Sequence, residues 1–336
     1  MRYIVTGSAG FIGFHVAQRL LNDGHTVRGI DSYTTYYDVA LKHARSAILN
    51  MYSGFSESKI DLVDRESTEK VFLDVRPDVV IHLAAQAGVR YSLENPAAYM
   101  ASNLMGTFHV LEASRLVRPS HLLLASTSSV YGSNESMPFA ESERTDFPIS
   151  LYAATKRGAE SLTHAYAHLY DLPTTCFRFF TVYGPHGRPD MAPDKFLKKI
   201  LSGSPIDVYG DGSSMRDYTY IDDLVESVIR LTSCVPKTGV AKSSLDSISN
   251  SAPWRTVNIG GGSPITLREF IETCERAVSK EAVRNPMPRQ PGDVQITHAD
   301  ARLLLDLTEF APRTSLQEGI TRLARWLMRS ELEGTV

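Results

Sequence analysis

Cysteine is scarce here: three residues in 336, at Cys176, Cys234 and Cys274. They form no Cys-x-x-Cys pair and show no metal-ligand spacing, which excludes a disulfide framework and a zinc module. No apolar run approaches the roughly 18 to 20 residues that cross a bilayer. The first strand begins within a few residues of the N-terminus and leaves no room for a signal peptide. Neither charge sign dominates, with 35 Lys and Arg against 38 Asp and Glu and no basic arm, so no nucleic-acid surface is expected. These absences predict a cytoplasmic protein with reduced thiols, no metal, no membrane partner and no nucleic-acid partner.

What is present is an alternating pattern. "YIVTG" (3–7), "TVRGID" (26–31), "PDVVIHLAA" (77–85), "SHLLLASTS" (120–128) and "TTCFRFF" (174–180) read as strands. Helical stretches lie at 14–24 and near 66–75, 96–118 and 152–170. Strands alternating with helices imply right-handed βαβ units. The fold class is therefore α/β, a Rossmann-type doubly wound parallel sheet with a smaller C-terminal α/β domain. Beyond about residue 185 Pro and Gly are frequent and the rhythm loosens. Residues 233–255 read as a long surface loop, "TVNIG" (256–260) as a strand, and 266–279 as a capped helix.

"TGSAGFIG" sets Gly7, Gly10 and Gly13 between the first strand and its helix. Glycines there permit a tight turn and close approach to a pyrophosphate at the helix N-terminus. They also suit a turn with no ligand. Asp31, closing the second strand, adds a carboxylate able to accept from an adenosine ribose diol. It would repel a 2′-phosphate, and Ser32 follows it instead of Arg, so NAD is expected over NADP. "YAATK" sets Tyr152 and Lys156 four apart, on one face of a helix. A nearby ammonium lowers a phenol pKa, which would let Tyr152 act as base and acid.

These motifs resemble those of the extended short-chain dehydrogenase/reductases, the NAD-dependent epimerase/dehydratase family. "HLAAQAGVRYS" (82–92), "YYDVALK" (36–42), "FRFFTVYGPHGRPDMA" (177–192) and "RDYTYIDD" (216–223) are most similar to its UDP-glucuronate 4-epimerases. The resemblance implies that Phe11 and Ile12 meet the NAD pyrophosphate. Asp61 and Leu62 would hold the adenine, Leu83, Ala84 and Ala85 would line the cofactor, and Phe180 would lie near the nicotinamide. It implies Thr127, Tyr152 and Lys156 as the catalytic group. Thr181, Tyr209 and Arg216 would contact a UDP-sugar, Tyr209 stacking on uracil and Arg216 pairing with phosphate.

In "STSSVYG" (126–132) Ser128 and Ser129 stand where dehydratases of the family carry an acidic pair. What remains supports 4-epimerisation through a 4-keto sugar. A 4-keto-uronate is a β-keto acid, and Ser128, Ser129, Thr181 and Arg188 are candidates to restrain its carboxylate. Alternatives are a neutral UDP-hexose 4-epimerase, a decarboxylating enzyme, and, in a different class, a non-catalytic NAD-binding scaffold. Arg90 and Asp293 are further substrate candidates; Arg90 equally suits the sheet edge. "YYD" (36–38) suits either the adenosine or a loop closure, and Asn103 a structural role. His164 and His168 read as packed or solvated.

The domain reading is 1–180 for NAD, with returning segments at about 217–232 and 256–260, and 181–216 with 261–336 for the UDP-sugar. A homodimer is expected through a four-helix bundle of the helices near 96–118 and 152–170. Leu104, Phe108 and Leu111 supply its apolar face.

Overall fold

The computed structural model describes residues 1–288 and 294–332. The described residues form twelve strands: β1 (Arg2–Thr6), β2 (Thr26–Asp31), β3 (Phe55–Lys59), β4 (Val79–His82), β5 (His121–Thr127), β6 (Thr174–Phe179), β7 (Thr181–Tyr183), β8 (Ile206–Tyr209), β9 (Met215–Tyr220), β10 (Trp254–Ile259), β11 (Pro264–Thr266) and β12 (Arg284–Met287). Seven make one parallel sheet in the order β10-β6-β5-β4-β1-β2-β3. The chain runs outward from β1 to β3, then crosses to β4 on the other side. That reversal opens a crevice at the carboxyl ends of β1 and β4.

Both sheet faces are buried, and neighbouring residues divide between them. Val5, Ile81, Leu123 and Phe177 pack with helices Phe11–Asn22 and Ile221–Thr232. Ile4, Val80, Leu122, Leu124 and Cys176 pack with Arg65–Val75, Gly106–Val117 and Leu151–Tyr170. Burial on both sides explains why these strands read as continuous apolar runs.

β3 did not declare itself in the sequence. It is the edge strand Phe-Ser-Glu-Ser-Lys, of which only Phe55 is fully buried. The small sheets, β11-β9-β7 and β12-β8, use strands of three to six residues that show little periodicity. Asp217 of β9 ties this half together: its buried carboxylate accepts from the N–H groups of Gly261, Gly262 and Ala299 at 2.8 to 3.0 Å.

The helix expected near 96–118 is continuous but changes pitch. A π-turn, Met100–Met105, separates Pro96–Tyr99 from Gly106–Val117. Leu111 is buried in this chain's own core, which corrects its place on an outward face. Leu104 and Phe108 are partly buried, and the exposed large apolar residues there are Met100, Met105 and Leu116.

Residues 233–253 hold no helix or strand, as expected, but they are fastened down. His164 pairs with Ser249 Oγ at 2.9 Å and His168 donates to Ser251 O at 2.6 Å. Asp246 and Arg255, both buried, lie 3.5 Å apart. Among the described residues no helix is long and apolar enough to cross a membrane, and no cluster could hold a metal.

Candidate active site

Gly7 adopts φ +72°, and a Cβ there would lie 2.9 Å from Ala84 N. A Cβ on Gly13 would lie 2.0 Å from Gly7 O. The turn's own packing demands both glycines, whatever binds beside them. Gly10 caps the following helix without a side-chain bond. The first-turn N–H groups, those of Phe11 and Ile12 among them, therefore lack a capping acceptor and suit a pyrophosphate. Thr6 Oγ1 accepts from the N–H groups of Leu83 and Ala84, each at 3.1 Å, and draws loop 83–85 against the turn.

Asp31, buried at the end of β2, accepts from Ala9 N at 3.1 Å and Tyr33 N at 2.8 Å. The sequence reading missed its third neighbour, the buried Lys42 ammonium at 3.6 Å. Lys42 weakens the argument that a carboxylate alone repels a 2′-phosphate, because a cation shares the site. Only its place on the helix Val39–Leu49 could have signalled it, and that helix also went unread. Asp61 and Leu62 follow β3; Asp61 is exposed and accepts from Val63 N, while Leu62 is buried.

The reaction centre is built on the helix Leu151–Tyr170. Ser150 starts it by accepting from Ala153 N at 3.1 Å, which puts Tyr152 in the first turn and Lys156 in the second. Its buried face, Ala153, Lys156, Ala159, Glu160, Thr163 and Ala167, follows helical spacing against the sheet. Beneath lies a network absent from the sequence reading. Arg178 of β6 grips Glu160 with two hydrogen bonds of 2.9 Å, and Ser126 donates to the same carboxylate at 2.6 Å. That network holds the end of β5, and so Thr127, against the helix. An Arg inside an apolar strand was the available signal.

Burial pushes the Tyr152 phenol up; the Thr127 hydroxyl and the Arg188 charge pull it down. Arg188 is thus a lowering charge that the helix spacing did not point to. Burial brings Lys156 down to about 8. It makes no hydrogen bond or ion pair with another described residue, although it is buried. A buried ammonium without an acceptor among the described residues fits a polyhydroxyl ligand such as a dinucleotide.

Ser128 and Ser129 line a cleft with Val89, Phe139, Ile149 and Ser150. Thr127 accepts from Ser129 N at 3.2 Å and fixes the short 3-10 turn that presents both serines. Phe180 is buried beside Tyr131 and Phe139. Thr181 and Arg216 sit on β7 and β9 of one small sheet, and Tyr209 ends β8 of the other. Arg90 meets Tyr209, its guanidinium 5.2 Å from the ring centroid. Arg188 is not a bare cation: it donates to Asp190 through Nε at 3.0 Å and Nη2 at 2.5 Å. Asp293 lies outside the described residues.

Residues 3–237 match the model of the NAD dependent epimerase/dehydratase family. A probable UDP-glucuronate 4-epimerase of Rhizobium meliloti (strain 1021) is 54% identical over 329 residues, which cover 97% of this chain and 96% of that one. The crystal structure of a Bacillus cereus UDP-glucuronic acid 4-epimerase, in complex with UDP-glucuronic acid and NAD, superposes with a TM-score of 0.86 at 33% identity, covering 98% of this chain and 99% of that one. A Thermotoga maritima UDP-glucose 4-epimerase with UDP-glucose gives 0.84 at 26% identity, covering 98% and 100%, so the fold alone does not choose the sugar. The chain belongs to the NAD dependent epimerase/dehydratase family.

Proposed function

We propose that this enzyme is an NAD-dependent UDP-sugar 4-epimerase, converting UDP-glucuronate to UDP-galacturonate through a 4-keto intermediate. The observation that carries the reading is the cleft at the end of β5, whose described lining is serine, threonine and apolar residues with no carboxylate. It lacks the acid with which a dehydratase would move the C5 proton. The Rhizobium meliloti and Bacillus cereus proteins named above support the same substrate.

Bound NAD supplies a hydride acceptor and donor at C4. The Tyr152 oxygen removes the O4 proton and later returns it. The Thr127 hydroxyl favours the ionised form of the same oxygen. Lys156 offers its free ammonium to cofactor hydroxyls and keeps the helix face fixed. Phe11, Ile12, Asp31, Asp61, Leu62 and the loop Leu83–Ala85 hold the dinucleotide. Ser128, Ser129, Thr181 and Arg188 hold the sugar carboxylate away from the geometry that would release CO₂. Tyr209, Arg216 and Arg90 serve the nucleotide. A neutral-hexose epimerase is the competing reading, and it leaves the Arg188 charge near Tyr152 unused. A non-catalytic scaffold leaves the Tyr152 and Lys156 arrangement unused.

The division into NAD and UDP-sugar domains follows the notion that the large sheet serves one ligand and the small sheets the other. Segments 221–232 and 254–259 return to the large sheet, which supports that division. Assembly as a homodimer through a four-helix bundle is supported by exposed Met100, Met105, Leu116 and Leu169 on the two helical regions concerned. Three free cysteines, two of them buried, support a reducing cytoplasmic setting. The decisive experiment is incubation with UDP-glucuronate, UDP-glucose and their N-acetyl forms, followed by product analysis. Epimerisation of UDP-glucuronate is expected to dominate; faster turnover of a neutral sugar, or release of a pentose product, would replace this reading.

A further inference from the structure

Tyr36 opens the "YYD" run that the sequence left between two roles. Its hydroxyl donates to Asp190 Oδ2 at 3.1 Å. The Arg188 guanidinium lies 5.4 Å from the centroid of its ring. Gly88 must be glycine for this hydroxyl to seat: φ is +103°, and a Cβ would lie 2.7 Å from it. Tyr36, Arg188 and Asp190 thus form one cluster at the rim of the reaction centre. Ring contacts join it to the catalytic helix, from Tyr36 to Tyr91 at 4.8 Å, Tyr91 to Tyr99 at 6.3 Å, and Tyr99 to Tyr152 at 6.0 Å.

A guanidinium can meet carboxylates along more than one edge. Asp190 occupies the edge made by Nε and Nη2. Among the described residues no protein group accepts from Nη1. Arg188 therefore has one edge clamped and one end available. We propose that Asp190, held by the Tyr36 hydroxyl, is the positioning residue that aims the available end of Arg188 at the substrate carboxylate, and so sets the preference for an acidic over a neutral sugar. This rests on the UDP-glucuronate reading. Asp190 does two things at once. It freezes a long side chain with several rotatable bonds before substrate arrives. It also balances a cation that would otherwise stand unpaired in a water-poor cleft.

The neighbours that bear charge or titrate are few. Around Asp190 they are Arg188, Tyr36 and Asp194. Around Tyr152 they are Arg188 and Tyr99, with Lys156 one turn along the helix. The Arg188 charge draws the Tyr152 phenol down. A neutral residue at 190 leaves that charge unbalanced and draws the phenol further down.

The experiment compares Asp190→Ala, Asp190→Asn, Asp190→Glu and Tyr36→Phe with the parent on UDP-glucuronate and UDP-glucose. In Asp190→Ala, kcat/KM for UDP-glucuronate should fall roughly tenfold to a hundredfold and that for UDP-glucose less than about threefold. Asp190→Glu should restore most of the loss, and Tyr36→Phe should show a smaller loss of the same kind. In Asp190→Asn, which keeps an acceptor for Nε, the pH limb of kcat/KM that belongs to Tyr152 should move to lower pH. Equal losses on both sugars with an unmoved limb would overturn the proposal, as would tighter use of UDP-glucuronate by the Ala variant. A parent enzyme with no preference for the acidic sugar overturns the functional reading together with this one. A parent preference that survives Asp190→Ala overturns this one alone.

Discussion

The Asp31 carboxylate and the Lys42 ammonium lie 3.6 Å apart, and both side chains are buried. Lys42 also donates to the Thr34 hydroxyl at 3.1 Å. On the proposed reading, cofactor choice rests on a balanced pair, not on an isolated acid. Asp31→Asn leaves the ammonium without its counter-ion, where an added phosphate would be welcome. Relative affinity for NAD over NADP should fall about tenfold or more, the scale of one close charge pair near a protein surface. Titration of stripped protein with both cofactors measures it. An unchanged ratio would remove Asp31 from the discrimination.

Tyr152→Phe keeps the ring that contacts Tyr99 and deletes the oxygen whose titration Thr127 and Arg188 influence. The variant should fold and retain NAD, with turnover reduced by about 10² to 10⁴, the usual worth of general acid–base catalysis. Turnover close to that of the parent would mean that another group moves the O4 proton.

The parts legible in the sequence are those fixed by short-range geometry. The glycine turn, the acid ending β2 and the spacing of Tyr152 and Lys156 each lie within one βα unit or one helix. The parts not legible depend on where distant segments land. Glu160 meets Arg178 of β6, and Lys42 meets Asp31 at the end of β2, only because a helix packs back against the sheet. Asp190 stands two residues from Arg188, but a salt bridge across an intervening Pro has no periodic signal. The strands β7, β8, β9, β11 and β12 are too short for period-two alternation to declare itself.

Assembly can be tested on Met105, exposed just before the helix Gly106–Val117. Met105→Glu places a charge where the proposed bundle would bury an apolar side chain. Light scattering should show a dimer for the parent at micromolar concentration and a monomer for the variant. A parent that is monomeric, or a variant that stays dimeric, would move the interface elsewhere or abolish it.

Asp194 offers a stability measurement with a defined sign. It sits in the first turn of the helix Ala192–Ser202, buried under the turn that holds Gly187. A Cβ on Gly187 would lie 2.5 Å from its Oδ2, which shows how closely the backbone covers the carboxyl. Burial pushes the group up from 3.8 to about 7; the Lys198 and Arg45 charges pull it down, and Asp190 pushes it up. The folded protein therefore keeps a proton between about pH 4 and 7 that the unfolded chain has released. Its stabilising contribution is fully present below pH 4 and is lost as pH rises through 7. A shift of about three units corresponds to roughly 4 kcal/mol at most. Asn keeps the shape and cannot ionise. Asp194→Asn should match the parent in urea unfolding near pH 4 and exceed it by about 1 to 4 kcal/mol at pH 8. The quantity to follow is the difference between variant and parent at the two pH values. If that difference is the same at both, the Asp194 proton is not linked to folding, and the buried carboxyl must be ionised throughout.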